Sequence, residues 1–216
     1  MSTATWDQFY DEVLPYVRGC GVEMAKAKII DAAIEFCAET FVWKADHAPI
    51  DAVADQHTYD FVPPVANTKV ERIDRAWYDD KEILPKTEAE LRELYANWPT
   101  EAGTPLYYLQ EGLENVRLVP YPSASLTGAL VMKVSLRPST AATGVDTTIW
   151  ERYVDDVAAG ALAKLFVMPD KPWTNTAQAG YYGGMFEAAK DLARLKAFKG
   201  FTRARITHAN RASRFR

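Results

Sequence analysis

The segment ALVMKVSLRP (residues 129–138) alternates between large apolar side chains and a more polar set. One side of the predicted strand carries Leu130, Met132, Val134 and Leu136. The other side carries Val131, Lys133, Ser135 and Arg137. Because successive side chains of a strand point to opposite faces, this pattern predicts an antiparallel strand with one face in the core and the other in water.

Short segments of the same kind precede it in the middle of the chain. They are rich in Val, Tyr and Ile and are bounded by Pro, Gly, Asn and Asp, as strands and their turns are. The segments are HTYDFVPP (57–64), KVERIDRAWYD (69–79), PLYYLQEG (105–112) and ENVRLVPYP (114–122), with EGLEN (111–115) as a candidate hairpin turn. One short helix is predicted among them in TEAELRELYANW (87–98), where Thr87 and Glu90 have the spacing of a capping box.

Helical periodicity precedes the strands. The clearest helix is predicted over residues 22–42. Its apolar residues recur at spacings of three and four: Ala27, Ile30, Ile34, Cys37 and Phe41. That spacing is typical of a helix with one face in the core. A shorter helix is predicted over residues 5–17, with Thr5 as its N-cap.

Two more helices are predicted after the strands. Thr148 and Glu151 have the spacing of a capping box at the start of the first. Asn175 with Gln178 begins the second, over residues 176–199. The run AAGALA (158–163) offers small residues for close helix packing. The apolar positions of the last helix are Tyr182, Met185 or Phe186, Ala189, Leu192 and Ala193.

This order of elements predicts an α+β protein. We expect mainly a helical bundle, with a small antiparallel β-rich domain inserted into it and an extended C-terminal arm. The bundle is assigned residues 1–44 and 146–198, the insertion with its one short helix residues 45–145, and the arm residues 199–216. The helices at the two ends of the chain can meet if the middle of the chain loops out.

Charge is divided unevenly along the chain. Residues 192–216 contain eight Lys or Arg and no acid, which leaves 17 basic and 29 acidic residues in the first 191. The basic tail has three interpretations: a solubilising end, an arm that binds phosphates, or an arm that orders on an acidic partner protein. Phe201, Ile206 and Phe215 favour the last, because an electrostatic DNA arm needs no apolar anchors and an acidic body repels DNA.

Catalytic motifs are not found in the sequence. It has no GxSxG, Walker loop, HExxH or GxGxxG pattern. His47, His57 and His208 are interpreted as surface or turn residues, because a general base needs an orienting partner and none is evident. We therefore predict no enzyme, no catalytic or metal site, and no cofactor.

Two acidic pairs have structural interpretations. Asp79 and Asp80, followed by Lys81, are typical of a hairpin turn. Asp155 and Asp156 are adjacent on a predicted helix, so their side chains point about 100° apart. A solvated surface is favoured for both pairs.

Cysteine usage and hydropathy predict a soluble protein made in a cytosol. Cys20 and Cys37 lie outside any CxxC motif and are interpreted as reduced thiols. The segment MSTATWDQFYDEV at the start of the chain is acidic and amphipathic, unlike a signal peptide. No apolar run approaches the roughly 20 residues of a membrane span.

Several of these segments together resemble a known family. WDQFYDEVLPYVRGCGVEMAKAKIIDAAIEFCAETFVW resembles the opening of head-to-tail adaptor proteins of tailed bacteriophages, also described as connector, head-completion or tail tubular protein A-like proteins. So does the order of HTYDFVPP, EILPKTEAELRELYANW, GTPLYYLQEGLENVRLVPYP and VAAGALAKLFVMPDKPWTN. The resemblance covers almost the whole chain and rests on the order of several weak motifs.

The resemblance implies a structural role in the virion neck, at the portal vertex, for a protein synthesised in the host bacterial cytoplasm. Such adaptors form a ring, usually of twelve copies, between the portal protein and the tail tube or nozzle protein. DNA passes through the channel without sequence-specific binding, and no membrane is involved. The alternative is a nucleic-acid-binding protein that uses the basic tail as a DNA arm.

The resemblance also gives roles to particular residues. The tail would be a portal-docking arm, with Lys199, Phe201, Arg203, Arg205, Ile206, Arg211, Arg214, Phe215 and Arg216 as its contacts. Small residues are candidates for the ring interface: Ala158, Gly160, Ala161, Gly180, Gly183 and Gly184. The candidate tail-facing residues are Trp77, Asp79, Asp80 and Lys81.

Overall fold

A computed structural model of the protein describes residues 2–199. Within this range there are five α-helices: α1 (Tyr10–Val13), α2 (Val22–Thr40), α3 (Glu88–Leu94), α4 (Thr147–Phe166) and α5 (Thr176–Lys199). Short 3-10 turns flank α1 at Trp6–Phe9 and Leu14–Tyr16, and another follows α3 at Trp98–Thr100. The predicted helix over residues 5–17 is therefore a mixture of short helical types.

Twelve strands complete the described part of the chain. They are β1 (Thr3–Thr5), β2 (Lys44–Asp46), β3 (Ile50–Ala52), β4 (Thr58–Asp60), β5 (Thr68–Tyr78), β6 (Lys81–Pro85), β7 (Ala102–Gly103), β8 (Tyr107–Leu109), β9 (Asn115–Val119), β10 (Tyr121–Pro122), β11 (Leu126–Pro138) and β12 (Gly144–Asp146). Each of the five strand segments predicted from the sequence overlaps at least one of them, and the segment 114–122 contains both β9 and β10.

Most strands join one mixed sheet of eight strands. Its order is β2-β11-β5-β6-β8-β9-β4, with β3 also paired to β11. Two small pairs lie outside it: β1 with β12, which is antiparallel, and β7 with β10, which is parallel. In the large sheet, β6 and β8 are parallel, with Leu84 opposite Tyr107. Parallel neighbours need a crossover, and the connection from β6 to β8 contains α3.

The predicted fold class is wrong in its proportions and in the kind of sheet. Helix accounts for 42% of the described residues and strand for 28%, and the sheet is large, curled and mixed. The protein is therefore not mainly a helical bundle with a small antiparallel insertion. Helices and sheet share one hydrophobic core, since Phe36 of α2 and Leu162 of α4 belong to the same buried cluster as Met132 of β11. The three-part division of the chain stays a prediction.

The buried face of α2 is displaced from the predicted one. The fully buried positions are Ala25, Ile29, Ala32, Ala33, Phe36, Cys37 and Thr40. Of the predicted positions, Ala27 is exposed, and Ile30 and Ile34 are half-buried. Both sides of α2 are apolar, so the three-and-four spacing fits either side equally well.

Local signals were reliable except at the start of α4. The capping box of Thr87 and Glu90 is confirmed, and Asn175 accepts a hydrogen bond from the backbone N–H of Gln178 at 3.1 Å. The predicted capping box of Thr148 and Glu151 is wrong. Asp146 caps α4 instead, since its carboxylate accepts from the N–H of Thr148 at 2.9 Å.

The alternation along β11 is confirmed on its core face. Leu130, Met132, Val134 and Leu136 are all fully buried. The other face is partly covered, because Ser135 is also buried and its hydroxyl donates to Asp74 of β5 at 2.7 Å. A polar contact between β5 and β11 thus replaces water at this position.

Candidate assembly surfaces

The small residues of α4 pack inside the protomer. Ala158, Gly160 and Ala161 are buried, and a methyl group on Gly160 would lie 2.7 Å from the Phe186 ring of α5. This glycine therefore lets α5 approach α4 closely. The ring-interface candidates on α4 face a neighbouring helix of their own chain.

The glycines of α5 are more open. A side chain at Gly180 or Gly184 would meet no atom within 4 Å, and one at Gly183 would meet the methyl group of Ala163 at 4.0 Å. These three candidates lie near the start of α5, beside Tyr181, which is 62% exposed. Among the predicted ring-interface residues, the group on α5 lies at the surface.

One side of α5 is apolar and exposed along most of its length. Its residues follow spacings of four and three, and we call them the α5 outer stripe: Tyr181, Met185, Ala188, Leu192 and Leu195. The buried residues of α5 lie on the opposite side: Phe186, Lys190, Ala193 and Ala197. At 100° per residue, Tyr181 and Lys190 are half a turn apart. Of the apolar positions named from the sequence, Phe186 and Ala193 are buried, whereas Met185 and Leu192 belong to the outer stripe.

The inner side of α5 is joined to α2 and α4 by an ion-pair network. The ammonium of Lys190 is 2.8 Å from Glu35, 3.0 Å from Glu39 and 2.8 Å from Glu187, and its side chain is 3% exposed. Lys164 of α4 adds a 2.6 Å pair to Glu35. The three helices thus meet at one buried cation.

The network shifts the pKa of its members in opposite directions. Burial alone would raise the pKa of Glu35, but hydrogen bonds from Lys164 and Lys190 bring it below its usual value. Burial alone would lower the pKa of Lys190, but its hydrogen bonds to Glu187, Glu35 and Glu39 raise it. Both shifts favour the charged forms, as expected for paired buried ions.

A second polar cluster holds the end of α5, where the basic tail begins. Lys44 of β2 donates to the carbonyl oxygen of Ala197 at 3.1 Å. The guanidinium of Arg72 on β5 lies 3.7 Å from the centre of the Phe41 ring and 5.4 Å from that of Phe198. Asp74 is 2.7 Å from Arg72 and 3.7 Å from Lys44, so one carboxylate holds both cations in place. We call this set of six residues the α5 end clamp: Phe41, Lys44, Arg72, Asp74, Ala197 and Phe198.

The predicted docking arm begins just beyond this clamp. Lys199 is the last residue of α5, and the remaining arm residues, from Phe201 to Arg216, lie outside the described residues. The arm therefore stays a prediction. The clamp fixes the point on the body from which the tail departs.

The predicted tail-facing residues form the tip of the β5–β6 hairpin. Tyr78 pairs with Lys81, and Asp79 and Asp80 are the two turn residues between them. Both aspartates have positive φ, 47° and 62°, as a tight two-residue hairpin requires. The predicted turn is confirmed, and Asp79, Asp80 and Lys81 are exposed. Trp77 is half-buried beneath the guanidinium of Arg75, which lies 4.9 Å from its ring.

The described histidines have structural contacts. The ring nitrogens of His47 lie 2.6 Å and 2.9 Å from the carbonyl oxygens of Ala48 and Val62. His57 packs against the Tyr121 ring with 4.2 Å between ring centres. His208 lies outside the described residues. Within residues 2–199 there is also no group of three His, Cys, Asp or Glu side chains placed to hold a metal ion.

The two cysteines are free, and the predicted solvated surface holds for only one member of the acidic pair on α4. Cys20 and Cys37 are free thiols, and complete burial raises the pKa of Cys37 to about 12. Asp155 is exposed, whereas Asp156 is half-buried, and burial together with the charge of Asp155 raises the pKa of Asp156. None of the helices in the described residues is long and apolar enough to cross a membrane.

Sequence reasoning missed the Lys190 network and the α5 end clamp. Lys190 pairs with a glutamate 155 residues away, and Lys44 with a carbonyl 153 residues away. The available signal was a lysine at a position that helical spacing places on the buried face of α5 with Phe186 and Ala193. A charged residue at such a position needs a buried partner.

Comparison with known proteins identifies the family. Residues 6–211 match the family model of the SU10 adaptor protein, which covers nearly the whole chain and reaches well into the basic tail. No curated protein matches the chain. The chain therefore belongs to the SU10 adaptor protein family, and it is a structural protein of the head-to-tail adaptor type found in the neck of a phage virion.

Proposed function

We propose that this protein forms a ring directly below the portal, joins the capsid to the tail and extends the channel through which DNA passes. The observation that carries the proposal is the family match, because it extends from the first helical turn to residue 211. The match includes most of the basic tail, which supports an adaptor role for the tail as well. Twelve copies per ring, the usual number in the head-to-tail adaptors that this chain resembles, is the size we propose.

The charge distribution supports a division of labour between body and tail. The first 191 residues carry 29 acidic and 17 basic groups, so the wall of a channel built from them repels the DNA backbone. DNA then slides without sticking. The tail carries the opposite charge and three apolar anchors, Phe201, Ile206 and Phe215. We propose that it docks on the portal protein.

The α5 end clamp supports this use of the tail. Lys44, Arg72 and Asp74 hold the last turn of α5 against the sheet, so force on the tail is transmitted to the body. The exposed tip of the β5–β6 hairpin, at Asp79 and Asp80, is our candidate contact for the tail tube or nozzle.

The test is the mass, by light scattering, of the complex with the portal ring of the same phage. Full-length protein is compared with a version that ends at Phe198, which keeps the clamp residue and removes the arm. We expect the truncated protein to lose at least tenfold in affinity for the portal. If neither protein binds the portal, the adaptor position is wrong. Salt-sensitive binding of duplex DNA by the full-length protein would then favour the DNA-arm alternative.

Two substituted tails separate charge from apolar contact. One replaces Arg203 and Arg205 by Gln, and the other replaces Phe201 and Phe215 by Ser. An ordered arm on a protein surface needs both kinds of contact, so we expect both variants to bind the portal more weakly. Weakening by the arginine substitutions alone would indicate a purely electrostatic attachment.

A further inference from the structure

The α5 outer stripe is apolar, exposed and without charge along its length. Tyr181, Met185, Leu192 and Leu195 are between 45% and 62% exposed. Their spacings of four and three residues are those of a helix seam that packs against another helix. A surface of this kind on a soluble protein marks an interaction site.

A second half-open apolar stripe lies on α2. We call it the α2 outer stripe: Ala27, Ile30, Ile34 and Ala38. Ala27 is exposed and the other three are half-buried, whereas the core side of α2 is fully buried. Ile30 also packs against the buried core cluster. The protomer thus leaves one apolar stripe open on each of two different helices.

We propose that the α5 outer stripe of one copy packs antiparallel against the α2 outer stripe of the next copy. The inference rests on the proposed ring and names its subunit contact. A closed ring needs two different, complementary surfaces on each subunit. The two stripes are such a pair, because each lies on the side of its helix away from the buried residues. The α5 stripe lies opposite Lys190, and Ile34 and Ala38 lie about 160° around α2 from the buried Phe36.

Side-chain sizes favour this occupant. When Ala188 is placed opposite Ile34 in an antiparallel arrangement, the remaining positions pair Met185 with Ala38, Leu192 with Ile30 and Leu195 with Ala27. Three of these four pairs match a large side chain with an alanine, which lets two helices interdigitate at close range. The register follows from the spacings of the two stripes alone.

Charge and length agree with the same register. Lys199 lies four residues beyond the end of the α5 outer stripe, and the exposed Glu23 lies four residues before the start of the α2 outer stripe. The two residues face each other in this arrangement. Antiparallel helices also oppose their dipoles favourably. The α5 outer stripe is about 21 Å long and about 10 Å wide. The area that it can bury is therefore much smaller than the roughly 1,200 Å² buried in a stable isolated complex. Two free copies therefore associate weakly, and the contact becomes stable when the portal gathers the copies.

Disulfide trapping tests the contact directly. Ile34→Cys and Ala188→Cys are combined in a Cys20→Ser background, and the full-length protein is oxidised on the portal ring. We expect a ladder of covalent multimers on a non-reducing gel, formed only when both new cysteines are present. The matched control pairs Ile34→Cys with Glu93→Cys, an exposed position on α3. A double variant that binds the portal but gives no more ladder than this control overturns the inference and leaves the proposed function intact.

Charge exchange provides a second measurement. Ala188→Glu and Ile34→Lys each place a charge in the proposed contact between the α5 outer stripe and the α2 outer stripe. We expect each substitution to lower the number of copies bound per portal at least tenfold when the protein concentration is limiting. The double variant pairs the two charges and should recover most of the binding. Unchanged binding by both single variants overturns the inference, provided that circular dichroism shows them folded.

Failure of the proposed function gives a different result. If the wild-type protein does not bind the portal, the ring position is wrong. The trapping experiment is then decided on the protein alone at high concentration. A ladder there supports the pairing of the two stripes, and its absence overturns it.

Discussion

The two faces of α5 differ in the contacts that their residues make. The inner face holds Phe186 against Gly160 of α4 and Lys190 against three glutamates, so each of these side chains has a specific partner in the same chain. The outer face holds a seam of apolar residues that remain exposed. The comparison teaches that one helix can carry two selected surfaces, the first for folding and the second, by our proposal, for assembly.

Removing the charge of Lys190 should have the largest effect on the inner face. In Lys190→Met the chain length is kept but Glu35, Glu39 and Glu187 lose their shared cation. The three carboxylates that lose their partner are partly exposed and can be hydrated, so we expect the free energy of unfolding to fall by about 2–3 kcal/mol in urea denaturation. The control is Lys196→Met on the exposed side of α5, which should change it by less than about 0.5 kcal/mol. Equal effects of the two substitutions would contradict the comparison.

The close approach of α4 and α5 at Gly160 is the next most sensitive point. In Gly160→Ala the new methyl group would lie 2.7 Å from the Phe186 ring, so the ring or the helix must move. Overpacking of this kind costs about 1–3 kcal/mol, which thermal unfolding would detect as a lower Tm.

Gly180→Ala is the matched control for that substitution. A methyl group at Gly180 meets no atom within 4 Å, and alanine has the better helix propensity. We expect Gly180→Ala to stabilise the protein by up to about 1 kcal/mol. A destabilised Gly180→Ala and a neutral Gly160→Ala would together reverse our assignment of inner and outer faces.

The pH dependence of stability tests the Lys190 ion-pair network as well, and the expected change in unfolding free energy is smaller. The pKa of Glu35 is lower in the folded protein than its ordinary value of 4.5. The unfolded chain therefore takes up the proton first, and the stabilisation from this carboxylate is fully present above about pH 4.5 and is lost as the pH falls through the lowered folded pKa. We expect Glu35→Gln to flatten the fall of unfolding free energy below pH 4.5. Glu93→Gln, exposed on α3, serves as the control and should leave the slope unchanged.

Local chemistry explains which elements were predictable from the sequence. The capping box at Thr87, the cap at Asn175 and the turn at Asp79 and Asp80 depend on residues within a few positions of one another, and all three are present. At α4 the capping rule was applied to Thr148, two residues after the actual cap, Asp146. Short-range rules thus located the elements and their ends.

The sheet and the sites depend on contacts that no local pattern contains. The parallel pairing of β6 with β8 follows from the crossover through α3, which the strand segments alone do not reveal. Helix α2 is apolar on both sides, so periodicity placed Ala27, Ile30 and Ile34 on the core side together with Cys37, and of these only Cys37 is fully buried. Lys190 was not recognised because two of its three partners, Glu35 and Glu39, lie on another helix, far away in the chain. Long-range pairing therefore accounts for the errors in the fold and in the site.

The smallest effect is expected on the outer face, and it sharpens the comparison most. Leu192 is 59% exposed, whereas its neighbour Ala193 is 2% exposed on the inner face. Leu192→Gln should change the free energy of unfolding of the isolated protomer by less than about 0.5 kcal/mol, because little of its side chain leaves a packed environment. Ala193→Gln places a larger polar group into the α5 core contact and should cost about 2–3 kcal/mol. Urea denaturation of the two variants side by side measures the difference. If Leu192→Gln destabilises the protomer as much as Ala193→Gln, the α5 outer stripe contributes to the fold of the single chain, and its open apolar surface no longer argues for a neighbouring copy.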